Sequence, residues 1–397
     1  MPRAPDAATP QKTVVAELTP IFAVVLIAFL AIGLGLPVLP LHVHHTLGFG
    51  PTIVGFVTGS QFAASLFSRV WSGRTCDVRG AKTGVSIGLA AAAAAGLIYL
   101  ASLQFAANST TSVVVLLVGR AVLGGAESFV ITGATVWGLA RVGATNAGQV
   151  IAWMGTAMFA AFAASAPIGV AIYDRTGFTG VAAVTMLASL ATLLLVAPLR
   201  DQQKPDRREP HGMAAVLKTI WLPGLGAALA SVGFGVILSF ASLLFAERGW
   251  MPVWLAFSAY AVALILARLF VGHLPDKLGG ARVALVCVVL EAAGLALMGL
   301  ASSIVPAAIG AALTGLGYAL VFPGLGVEAV RRTPPESRGI TMGAYTACLD
   351  LALGTTGPVL GFVAGGVGLG TTFLVGAACV LSASLVALQL LRQPTLR

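Results

Sequence analysis

Arg69-Val-Trp-Ser-Gly-Arg-Thr-Cys-Asp-Val-Arg-Gly-Ala-Lys82 is the stretch that decides how the chain folds. Arg69, Gly73, Asp77, Gly80 and Lys82 punctuate it. Arg268, Gly272, Asp276 and Gly279 repeat the first four positions 199 residues later, and Arg282 follows them. A spacing of Arg-x3-Gly-x3-Asp-x2-Gly held twice at one offset marks an internal duplication. Each copy lies between two long apolar segments. The chain therefore reads as two similar halves, each with a tight charged hairpin after its second apolar segment.

Composition agrees with that reading. The 397 residues are 58% hydrophobic and 9% charged, whereas soluble domains carry roughly 25% charged residues. Too little charge is present to cover a soluble globule, so the apolar segments belong in a membrane. The net charge of +9 does not indicate a nucleic-acid partner. It forms no basic face and no aromatic-basic interleaving, but falls in alternate loops, which is a topology signal. Cys76, Cys287, Cys348 and Cys379 share no C-x-x-C spacing and read as membrane-buried thiols. His42, His44 and His45 flank the outer end of the first segment without a nearby carboxylate or thiol. They are expected in an exposed loop, and no metal site is expected. The glycine strings at 123–126 and 314–317 lack a following Gly-Lys-[Ser/Thr] and sit within apolar segments, so they are not phosphate loops. No cofactor is expected, and no enzyme.

Twelve spans are expected, at 19–41, 52–72, 84–106, 113–138, 147–172, 178–199, 220–246, 252–272, 283–303, 305–329, 340–365 and 370–391. Each approaches or exceeds the ~20 residues that carry a helix through ~30 Å of hydrocarbon. Residues 1–13 have no apolar core and do not form a cleavable signal. Arg74, Arg79 and Lys82 follow the second span, Arg141 the fourth, and Arg200, Lys204, Arg207 and Arg208 the sixth. Lys277 and Arg282 follow the eighth, and Arg331, Arg332 and Arg338 the tenth, while the opposite loops hold only Arg175 and Arg248. This bias places both termini in the cytoplasm. The expected organisation is a tail at 1–13, a six-helix bundle at 14–199, a polar linker at 200–216, a second bundle at 217–391 and a tail at 392–397. Gly124, Gly148 and Pro167 return as Gly315, Gly339 and Pro358 at an offset of 191, which extends the duplication beyond the hairpins.

These residues resemble the major facilitator superfamily. Gly73-x3-Asp77-x2-Gly80-x-Lys82 is similar to its loop 2–3 motif, and Arg268 to Arg282 to the copy in loop 8–9. Arg120-x3-Gly124-Gly125-Ala126-Glu127 resembles the motif of its fourth helix. Gln61-Phe62, Gly133-Ala-Thr-Val-Trp137-Gly138 and Gly148-Gln-Val-Ile-Ala-Trp153-Met-Gly155 look like the bacterial YhhS/YfcJ group of predicted permeases. The resemblance implies an all-α membrane protein, two six-helix bundles of inverted repeats around one cavity, that works by alternating access. It implies a monomer in the bacterial cytoplasmic membrane whose partners are a small-molecule substrate, protons and the lipid bilayer. Such proteins often move their substrate outward in exchange for protons. Import or facilitated passage is the alternative, and a non-transporting sensor a third. Two departures weaken export. Ser165-Ala166-Pro167-Ile168-Gly169 is a degenerate form of the antiporter motif, and span 19–41 holds no acidic residue.

Particular residues then acquire expected roles. The motif residues Arg69, Gly73, Asp77, Gly80 and Lys82, with Arg268, Gly272, Asp276 and Gly279, form a conformational latch or a plain topogenic turn. Arg120 and Glu127 lie inside a span, where a charge costs about 2.5–3.5 kcal/mol on insertion scales. Seven residues apart, they share a face at about 10 Å, too far to pair directly. Ser128 and Thr132 extend their polar stripe. Asp350 in span eleven is a second proton or cation site, or a structural hydrogen bond. Glu291 reads as packing in a peripheral helix, and Glu328 as snorkelling from a helix end. Gln61, Trp137, Tyr318 and Tyr345 are candidate cavity lining or helix packing.

Overall fold

In hydrocarbon a backbone must satisfy its own hydrogen bonds, so apolar segments of this length become helices. The computed structural model describes residues 11–143, 146–199, 213–333 and 338–393. The expected tails at 1–10 and 394–397, the linker residues 200–212 and the side chain of Asp276 lie outside the described residues. Twelve membrane-length helices follow one another. They are α1 (Gln11–Gly33), α2 (Pro51–Arg79), α3 (Ala81–Leu103) and α4 (Ser109–Val142). Ala147–Val196 is one stretch broken at Gly177, whose φ of 65° and ψ of −164° divide it into α5 (147–176) and α6 (178–196). Then come α7 (Met213–Glu247), α8 (Leu255–Val271), α9 (Gly280–Leu300), α10 (Ile304–Arg331), α11 (Arg338–Val367) and α12 (Leu369–Arg392). Among the described residues, nine helical stretches are long and apolar enough on length and composition to cross a bilayer. The stretch holding α5 and α6 counts once among them, α8 is shorter, and α2 is interrupted by Thr58, Ser60, Gln61, Ser65 and Ser68.

The charged hairpin differs from expectation. α2 runs past its expected end at residue 72 straight through the motif, so Gly73 and Asp77 lie on the helix that carries Arg69 and the turn is Gly80 alone, at φ 96°. Nothing before Gly80 forbids a helix. Gly73 costs only about 1 kcal/mol there. The second copy turns at Gly279, φ 95°, but its helix is interrupted: α8 ends at Val271 and a short helix spans Leu274–Leu278. Pro275 explains the interruption, because its ring clashes with the carbonyl four residues earlier, that of Val271. His42, expected in an exposed loop, is buried in a π-turn and stacks on Phe178 at 4.4 Å, while His44 and His45 are exposed.

Within each half, small residues bring backbones together. A methyl group at Gly124 on α4 would strike the carbonyl of Gln61 on α2, and one at Gly315 on α10 would strike that of Tyr260 on α8. The offsets of 191 and 199 relate these two contacts, so the duplication read from sequence is also a duplication of packing. Between halves, α2 packs on α11 and α5 on α8. Helices alternate in direction, so the start of α1, the end of α12 and the ends of α2, α4, α6, α8 and α10 share one end. At the far end Thr52 donates to the Gly361 carbonyl at 3.2 Å, and Gly55 meets Gly357 backbone to backbone. Thr58 and Ser239 hydroxyls are 2.9 Å apart, and Ser258 donates to the Ala163 carbonyl at 3.3 Å. The two halves are therefore joined at the far end.

Candidate functional site

α2 carries the centre of the molecule because it faces both its own bundle and the other half. Towards α4, Gln61 is fully buried and its amide donates to Glu127 Oε2 at 2.6 Å. One helix face further along, the Arg69 guanidinium crosses to the other half and pairs with Asp350 on α11. Its Nη2 donates to Asp350 Oδ1 at 3.0 Å, and its Nε donates to Oδ2. Arg69 also acts electrostatically on Glu127, so one cation faces an acid from each half. Asp350 is 3% exposed. A carboxylate buried that deeply needs a partner, and a two-nitrogen guanidinium fork is the geometry that best supplies one.

The quasi-equivalent contact is built differently. The offset of 199 carries Arg69 to Arg268, and the offset of 191 carries Phe159 to Asp350. The Arg268 guanidinium lies over the Phe159 ring, 4.6 Å from its centre, and its Nε donates to the Ala319 carbonyl at 3.3 Å. A cation–π contact thus stands on the α5–α8 side where an ion pair stands on the α2–α11 side. Phe159 continues into an aromatic chain through Phe234 at 6.2 Å, with Tyr260 and Tyr318 stacked on Phe234 at 5.3 and 5.7 Å. Tyr318 is 3.1 Å from the Ser231 hydroxyl. Under the same offsets, Gln61 and Glu127 become Tyr260 and Tyr318. One half meets the centre with an amide and an acid, the other with two phenols.

Other expected site residues lie elsewhere. Arg120 is fully buried inside the first bundle, its Nε donating to the Val57 carbonyl at 3.4 Å and its guanidinium facing the Tyr99 hydroxyl. Ser128 and Thr132 approach Ser72 at 3.2 and 3.4 Å, so they join α4 to α2 rather than facing the other half. Trp137 is fully buried beneath Arg141, which pairs with Glu17 on α1 at 3.3 Å. The Tyr345 hydroxyl donates to the Phe322 carbonyl at 2.6 Å, locking α11 to α10. Asp77 is exposed and makes no ion pair among the described residues. Lys82 donates to the carbonyls of Ala197 and Leu199, each at 2.7 Å, and so caps the C-terminal end of α6 with a cation. Gly73 has open space around it, and Gly272 ends α8. Glu328 does not snorkel. It is 5% exposed, accepts from the Ala281 amide at 3.3 Å and pairs with Arg332 at 3.7 Å, so it caps α9.

The residues that sequence reading missed are Phe159, Phe234 and Tyr260. Applying both offsets to every polar residue of α2 and α4 would have found Tyr260, and applying them to Asp350 would have found Phe159. Among the described residues no cluster of three or more His, Cys, Asp or Glu can hold a metal. Gly84-Val-Ser86-Ile-Gly88 has the spacing of a hydrolase nucleophile elbow. It lies wholly inside α3, where the strand-to-helix turn that such an elbow needs is missing.

A duplicated twelve-helix membrane protein whose ion-paired centre lies between its halves has the build of an alternating-access transporter. The sequence profile described as Major Facilitator Superfamily matches residues 21–256 and 225–397, and the chain belongs to that family. It is a multi-pass membrane protein of a bacterial transporter family whose members carry small molecules rather than transform them. An MFS-type transporter of Salmonella typhimurium is 39% identical over 373 residues, 94% of this chain and 96% of that protein. YhhS of Escherichia coli K12 is 38% identical over 367 residues, covering 92% and 90%, and a Burkholderia pseudomallei MFS-type transporter 41% over 392, covering 98% and 93%. Among solved structures, the inward-open xylose transporter XylE from Escherichia coli aligns at TM-score 0.78 with 13% identity, over 96% of this chain and 98% of that one. The nucleoside transporter NupG aligns at 0.75 with 15% identity, over 95% and 100%. At such identities these two share the fold.

Proposed function

We propose that the chain is a secondary transporter that exports a small molecule across the bacterial cytoplasmic membrane in exchange for protons. In this reading it acts as a monomer, both termini are cytoplasmic, and the bundles at 14–199 and 217–391 rock about the centre. The observation that carries the reading is Arg69, set between Asp350 of one half and Glu127 of the other. A proton on Asp350 removes the charge that holds Arg69 across the divide. Arg69 then serves Glu127 on its own half, and the halves are released. A proton on Glu127 reverses the preference. Two acids competing for one cation thus link proton occupancy to which side is open. A proton falling through roughly 150 mV releases about 3.5 kcal/mol, enough to hold a gradient of about 300-fold. Phe159, Phe234, Tyr260 and Tyr318 supply an apolar wall for the body of the substrate.

The test is a substrate screen in inside-out vesicles with an imposed pH gradient, followed by Glu127→Gln and Asp350→Asn. Each substitution is expected to abolish concentrative transport while leaving downhill exchange. If neither alters the pH dependence of flux, proton coupling is wrong and a facilitator takes its place. Accumulation in the opposite sense makes the chain an importer.

A further inference from the structure

Glu291 lies on α9, which packs on α10 and α12 and makes no major contact with the first half. Sequence alone makes it a peripheral packing residue, yet its side chain points inward. It is fully buried, and neither carboxyl oxygen has a hydrogen-bond partner among the described residues. The carboxyl rests against Gly233 on α7, and Gly317 on α10 packs on the backbone of Glu291 itself. The ionisable groups facing it are Tyr260 from α8, Tyr318 from α10 and Cys287 on its own helix. α7 brings Gly233 and, through Tyr318, the Ser231 hydroxyl. The Tyr260 hydroxyl is likewise without a partner, and Arg268 faces both tyrosines.

A bare carboxylate in such surroundings is prohibitively costly unless paired, and no cation pairs with this one. The acid therefore holds a proton in this conformation. Contact with Gly233 leaves no room for a metal ion with its own ring of oxygens, whereas a proton needs none. The position also matters. Tyr318 stands where the duplication would repeat Glu127, so the second half has lost the acid on its inner helix and brings one in from α9 beside the same spot.

We propose that Glu291 is a further proton-binding site, additional to Glu127 and Asp350, which gives up its proton when α7 and α10 shift during transport. The proposal rests on the proton-coupled reading above. The carboxylic acid becomes a carboxylate, and its proton passes by the Tyr318 and Ser231 hydroxyls to water admitted between the halves. Arg268, facing the two tyrosines, offsets the charge left behind. The site adds a third acid to Glu127 and Asp350, and gives the second half two of the three.

Infrared difference spectroscopy on the full chain in lipid tests this, with pH itself as the probe. Thr58→Cys/Ser239→Cys, at side chains whose hydroxyls are 2.9 Å apart across the divide, holds the far end shut when oxidised; reduced, it frees the halves. The carbonyl band of a protonated carboxyl should be present in the locked state, shrink at the same pH on reduction, and be lost in Glu291→Gln. Glu127→Gln should retain it. A band that survives Glu291→Gln overturns the proposal, as does one abolished by sodium chloride, which would mark a cation site. A band that ignores reduction also overturns it, leaving Glu291 a static acid. In either case pH-dependent flux that still responds to Glu127→Gln would leave the broader reading standing.

Discussion

Arg69 shows how much one side chain decides and how little of that is written locally. Its partner Asp350 is 281 residues away and belongs to the other half, so no window of sequence joins them. Arg69 lies at the end of its span, where a cation reads as the start of the charged motif, whereas Asp350 lies well inside a span and is recognisable as costly. Glu127 was legible for the same reason: a charge inside an apolar helix announces itself, but its partner Gln61 does not. Removing one member of a buried ion pair costs about 3–5 kcal/mol, because it strands the other. Arg69→Ala should therefore lower the melting temperature in detergent, and Arg69→Ala/Asp350→Asn should recover most of the loss. A double variant no more stable than Arg69→Ala alone would mean that the pair does not hold the halves.

At the level of helices, hydropathy made the twelve spans legible because a bilayer leaves so few alternatives. Ends were harder. α2 outruns its expected end by about two turns through the motif, and α7 begins at Met213, inside the stretch that composition marks as linker. The first is a polar helix, which hydropathy does not see; the second, Met213-Ala-Ala-Val216, is apolar but adjoins a polar run that hides it. The glycines of the motif and of α4 illustrate the difference between spacing and surroundings. Gly73 is helical with open space about it, so Gly73→Ala should raise stability by roughly 0.5–1 kcal/mol through helix propensity. Gly124 abuts the Gln61 carbonyl, which has nowhere to go. Gly124→Ala should lose about 1–3 kcal/mol by overpacking. Melting curves in one detergent compare the two, and equal shifts would refute the packing argument.

For the whole molecule, the duplication was legible as two constant offsets, and it survives as matched packing at Gly124 and Gly315. What sequence did not disclose is how far the halves have diverged where they meet. An acid and an amide face two phenols, and an ion pair faces a cation over a ring. Topology follows from loop charge alone, so tags at both chain ends and within 201–211 should all be reached from the cytoplasmic side. A periplasmic signal from 201–211 would reverse the orientation.

That divergence has a mechanical consequence. A salt bridge can be undone by a proton; a guanidinium resting on phenylalanine cannot. The α2–α11 seam is then expected to work as a clasp and the α5–α8 seam as a hinge, which would make the rocking about the centre one-sided, like a door, rather than two leaves parting evenly. Pinning the hinge should matter little and pinning the clasp should stop the door. A disulfide from Ala163→Cys/Ser258→Cys should spare turnover, while one from Thr58→Cys/Ser239→Cys, which ties α2 to the second half, should arrest it until reduced. Equal arrest by both would restore the even rocking of two matched halves. With one, the entrance faces a single flank of the molecule, and cargo passes by way of α2 and α11.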